Sequence, residues 1–176
     1  MKMNIEDFTK ITIRARAAFV LLIADSLMPE LRHEGEGYIF ALKAFEITAS
    51  WINGKDVSGD ELNDLLMNHH DQGIFAYVDN RKQRVSDRAY TVLGGAISYV
   101  AWHAYRTNKL MLPDGIQAVT EHFVQWLIDE ASKSPSFGTH LATRIWFHLF
   151  EHFKIHDDDE LGSPVNLNEL KKIVNQ

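Results

Sequence analysis

The sequence has 176 residues, 45% hydrophobic and 24% charged, with a formal net charge of −6 and a pI near 5.8. That length and balance fit one globular domain, residues 1–176, and exclude a disordered chain. The absence of cysteine excludes disulfides, thiolate zinc sites and a cysteine nucleophile, and the acidic balance argues against nucleic acid as a partner, because phosphate contacts need clustered Lys and Arg.

The longest apolar run, Ala17–Ala24, falls far short of the roughly 18 residues of a membrane span. Glu6 and Asp7 interrupt the basic residues before it and no small-residue cleavage site follows, so no signal peptide is expected. The expected compartment is the cytoplasm, with no membrane contact.

From Thr12 to Met28 apolar residues recur at helical spacing, through Ile13, Ala17, Val20, Leu21, Ala24 and Leu27. Pro29 and the segment Arg32 to Gly37 close that helix. A second runs from about Tyr38 to Ile52 with Leu42, Phe45, Ala49 and Ile52 on one face, and Asn53-Gly54 stops it. Ser58-Gly59-Asp60-Glu61 has the spacing of a capping box and predicts a short helix over Glu61–Met67. Gly73–Val78 fits either a short strand or a helical turn.

The clearest stripe falls at positions 89, 92, 93, 96, 97, 100, 101 and 104, predicting a helix over Ala89–Arg106. Gly94 and Gly95 lie inside it at a cost of about 1 kcal/mol each, tolerable where another helix packs closely. After Leu112-Pro113, Asp114 is placed to cap a fifth helix reaching about Ser132. Ser134-Pro135-Ser136 breaks the chain before a sixth, Thr139–Ile155. Asn166-x-x-Glu169 resembles a second capping box and opens a last short helix. The sum is an all-α, single-domain bundle of six to seven helices.

Nine histidines are about twice an ordinary share. His148-Leu149-Phe150-Glu151-His152 matches the His-x-x-Glu-His order of inverted zinc peptidases, with two imidazoles one turn apart. The chain supplies too little beyond His152 for that fold, and Arg144 one turn earlier opposes a cation. Small helical bundles resembling bacillithiol-transferase-like hydrolases bind a metal through three histidines. In that alternative, a metal-dependent hydrolase or transferase, His148 and His152 would need His103, His69 or His70 as a third ligand. A di-iron bundle lacks its second Glu-x-x-His, and no Gly-x-Ser-x-Gly elbow or phosphate loop occurs. Catalytic residues and cofactors are therefore expected to be none. Tyr99, Trp102 and Tyr105 widen the core stripe with polar tips reaching outward, or else form an aromatic hot spot for a partner.

The stretches Ala41-Leu42-Lys43, Trp51-Ile52-Asn53-Gly54-Lys55, Val57-Ser58-Gly59-Asp60-Glu61-Leu62, Gly73–Tyr77, Ala96–Tyr105 and Leu112-Pro113 carry a family likeness. Over roughly residues 13 to 131 the chain resembles the bacterial polymorphic-toxin immunity proteins of the sixth immunity family. The resemblance implies an all-α protein encoded beside a toxin gene, which binds and neutralises a cognate toxin domain of a polymorphic toxin or a contact-dependent or secretion-system effector. Its usual paired Trp spacing in the second helix appears here only as Trp51, and Arg81-Lys82-Gln83-Arg84 is more basic than the family's linker, which leaves the cognate toxin open. Charge placement then points to Asp56, Asp60, Glu61, Asp64 and Asp71, and to Asp157, Asp158, Asp159 and Glu160, as residues facing a basic partner.

Overall fold

The computed structural model describes residues 5–67, 72–78, 84–156 and 160–174. Among the described residues nine α-helices follow in chain order: α1 Ile5–Phe8, α2 Ile13–Leu27, α3 Glu36–Ile52, α4 Gly59–Asp64, α5 Val85–Thr107, α6 Asp114–Gln117, α7 Phe123–Ala131, α8 Thr139–His152 and α9 Leu167–Val174. Two 3-10 turns, Met28–Leu31 and Ile74–Tyr77, join α2 to α3 and precede α5. The architecture is all-α. Among the described residues the one β-type pairing is an isolated bridge between Ile11 and Lys154, flanked by Thr12 N–H donating to Phe153 O (2.9 Å) and Ile155 N–H donating to Lys10 O (3.0 Å).

α5 is the axis of the bundle. It packs on α2, α3, α4 and α7 and on both 3-10 turns, and every residue from Val92 to Tyr105 is buried. A helix covered on all sides needs apolar or small residues around its whole circumference, which explains Gly94 and Gly95. A Cβ on Gly94 would stand 2.5 Å from Phe75 Cε1, and one on Gly95 would stand 2.6 Å from Leu127 Cδ2. The glycines are the floor on which the Ile74–Tyr77 turn and α7 rest. Gly73–Val78 is therefore a helical turn, not a strand.

α5 begins four residues earlier than its apolar stripe. Arg84 N–H donates to Asp87 Oδ2 (2.7 Å) and the Arg84 guanidinium to Asp87 Oδ1 (3.0 Å), so a polar first turn is held by its own ion pair. The fifth predicted helix is two. α6 ends at Gln117 and α7 starts at Phe123, with a break over 118–122 between them. Pro113 is the residue that precedes α6, and Asp114 is already helical; its Oδ1 accepts from Gln117 Nε2 (3.1 Å). α8 stops at His152, where the chain turns into the bridge with residue 11. In α9 the predicted cap is half made: Asn166 Oδ1 accepts from Asn168 N–H (3.1 Å) and Glu169 N–H (3.3 Å).

The core joins Phe8, Phe19 and Trp146 at one end to Tyr90, Leu93, Ile97 and Leu127 in the middle. The rings of Phe8 and Phe19 meet edge-on at 5.4 Å, and Phe19 meets Trp146 at 6.4 Å. Trp146, Ile145 and Leu149 bring the inner face of α8 into this core.

Candidate functional site

The capping box forms as its spacing predicts. Ser58 N–H donates to Glu61 Oε2 (2.8 Å), and Glu61 N–H donates to Ser58 Oγ (3.1 Å). The Ser58 backbone donor first, and its hydroxyl second, hold the Glu61 carboxyl below its usual range, so Glu61 is ionised near neutral pH. α4 is fastened to α5 by fully buried Leu62 and by Gly59 lying flat against the Tyr105 ring. Tyr105 OH donates to Asp60 Oδ1 (2.6 Å). Burial, then that bond, pushes the phenol far above its ordinary value and keeps it a donor.

This scaffold presents Asp56, Asp60, Glu61 and Asp64 together, all four exposed. Glu160 is also exposed, and its carbonyl accepts from Ile13 N–H (2.7 Å), which ties its segment to the start of α2. Its neighbour Leu161 shares a recess of about 240 Å³ with Arg14, Gly54 and Asp56. Leu161, next to Glu160, thus lies beside the loop that leads into α4. Asp71, Asp157, Asp158 and Asp159 lie outside the described residues.

The histidines are dispersed differently. His148 and His152 stand one turn apart on α8 with ring centroids 4.5 Å from each other. Burial, then the neighbouring His152, lowers the pKa of His148. Arg144 is exposed on the same helix. Among the described residues no group of three His, Asp or Glu side chains is placed to hold a metal ion. His103 is no third ligand of the surface pair: it is buried in α5, its ring wedged edge-on against Tyr99 (4.7 Å) and Trp102 (4.5 Å). His69 and His70 lie outside the described residues.

Sequence reasoning missed a buried polar cluster around His103. Arg16 of α2, 6% exposed, donates to Glu121 Oε1 (2.5 Å), and Tyr99 OH donates to Glu121 Oε2 (2.5 Å). Glu121 belongs to the break between α6 and α7, so one carboxylate pins that break to both α2 and α5. Burial, then the Glu121 charge, raises the Tyr99 pKa well above its ordinary value. The signal in the sequence was Arg16 itself, a cation on the apolar stripe of a helix between Ala15 and Ala17. Glu121 gave none. Tyr99, Trp102 and Tyr105 are 0%, 6% and 2% exposed, which makes them core residues, the two tyrosines with their hydroxyls bonded, not an exposed hot spot.

The family model described as Immunity protein Imm6 matches residues 15–134. The chain belongs to this immunity-protein family. No curated protein and no solved structure matches it. The Imm6 match runs from α2 past the end of α7. It therefore takes in the α4 surface and the cluster of Arg16, Tyr99, His103 and Glu121, while His148, His152 and the acidic segment ending at Glu160 lie beyond it. No helix among the described residues is long and apolar enough to cross a membrane.

Proposed function

We propose that this Imm6 protein acts by binding, as a cytoplasmic antidote that occupies a cognate toxin domain and blocks it. The observation that carries the reading is membership of the immunity family together with four exposed carboxylates, Asp56, Asp60, Glu61 and Asp64, on one short helix and the loop before it. A rigid helical bundle lets such a surface bind without reordering its own backbone, which lowers the entropic cost of association. A net charge of −6 supports steering toward a basic partner. In the sequence Asp71, Asp157, Asp158, Asp159 and Glu160 add to the same negative charge.

The test is calorimetric titration with the toxin domain encoded beside the gene. The proposal predicts a one-to-one complex that forms without added metal and abolishes the toxin's activity. A protein that leaves the toxin active, or that gains turnover of its own through His148 and His152, would refute it.

A further inference from the structure

Beside α4 the surface dips into a recess of about 350 Å³ whose wall is formed by Ile47 and Ser50 of α3 and by Val57. Asp56, Glu61, Asp64 and Lys55, all exposed, line it as well and form its charged rim. An apolar depression of this size, at the small end of ligand pockets, suits one side chain better than a whole small molecule. The two apolar residues would cover a hydrocarbon stem. Three carboxylates against one ammonium leave the rim net negative, so the end of that side chain should carry positive charge. Lysine and arginine have this build, an aliphatic stem with a cationic head. Arginine fits better, because its planar fork can bond two carboxylates at once and because it recurs among the few residues that dominate interface energy.

We infer that the recess between α3 and α4 is an anchor pocket for an arginine side chain of the partner protein, its stem on Ile47 and Val57 and its guanidinium at Asp56, Glu61 and Asp64. This rests on the binding role proposed above and names the partner's chemistry at that surface. Glu61 arrives preset, since the capping box fixes its carboxylate before any partner comes. Among the described residues that line the recess, Lys55 is the one that opposes the guest. It lies where this recess adjoins the one shared by Asp56 and Leu161, and removing its charge should improve the fit.

n-Butylguanidinium, a probe with the same stem and head, allows the pocket to be tested without the partner. The methyl groups of Ile47 and Val57 are followed by NMR during titration into the whole protein, with n-butanol as the uncharged control. Saturable shifts at both residues are expected for the cation alone. Asp56→Asn with Asp64→Asn should weaken it about three- to tenfold, the scale of two exposed ion pairs, and Lys55→Met should strengthen it. Equal shifts with the alcohol, no saturation, or indifference to all three substitutions would overturn the pocket. The same variants are then titrated with the toxin domain. A complex that forms normally with Asp56→Asn and Asp64→Asn would sink the anchor while leaving the antidote role standing. Failure of the unsubstituted protein to bind toxin would sink that role, whatever the methyl groups show.

Discussion

His103 shows how much the surroundings of one side chain decide. Its Nε2 lies 3.6 Å from Glu121 Oε1, too far for a hydrogen bond, and both oxygens of Glu121 are already engaged by Arg16 and Tyr99. A carboxylate so occupied does little for a neighbouring imidazolium. Burial first, and then Arg16 and Arg106, push the His103 pKa well below its ordinary value of 6.5. The folded chain therefore refuses a proton that the unfolded chain accepts. The consequence has a definite sign: the fold is unaffected by this group above about pH 6.5 and loses stability progressively as pH falls below it. Unfolding free energy measured from pH 8 to 5 should fall less steeply in His103→Gln than in the parent. Parallel curves would show that the imidazole is not the group responsible.

The short helices depend on caps more than the long ones do, because a helix of one or two turns has few internal bonds against its orphan backbone groups. α4 spans six residues, Gly59–Asp64, and Ser58 satisfies one of its first amides. Ser58→Ala is expected to cost about 1 kcal/mol, read as a lower urea midpoint with an unchanged slope. Since Glu61 is set by the same serine, the variant should also bind the toxin domain more weakly than its stability loss alone implies. A midpoint equal to the parent's would mean that packing of Leu62 on α5 holds α4 without its cap. This cap was legible in the sequence because it is a local device: four residues determine it. The same locality explains why the helices α2 and α3 and the stripe of α5 could be read from periodicity, although the face expected inward on α3 is displaced: Ala41, Ala44, Thr48 and Ile52 are buried and Leu42 is exposed. The division of α6 from α7 could not. Ile116, Val119, Phe123 and Leu127 continue a helical spacing across it, and the break is held by Glu121 reaching Arg16, 105 residues away. Pairing of that kind leaves no local trace. The acidic residues were legible one by one, but the apolar recess among three of them was not, since Ile47 comes from α3 and lies off the apolar face expected there.

At the scale of the whole molecule, α5 is a buried spine and function is left to what is hung around it. Wrapping it on every side takes Gly94 and Gly95 inside a helix, and it ties the hydroxyls of Tyr99 and Tyr105 to Glu121 and Asp60. The interior is thereby committed to rigidity, which suits recognition of another protein. On the binding role proposed above, the charged surface would set how fast the partner arrives, because opposite fields act chiefly on the association rate and are screened by salt. Stopped-flow mixing of the cognate toxin domain with the parent protein and with Asp56→Lys, Asp64→Lys, Glu160→Lys tests this most directly. The parent rate should fall with rising salt, and the variant should be at least about tenfold slower at low salt, with a rate that hardly responds to salt. Equal rates for the two proteins at every ionic strength would contradict that role of the charged surface.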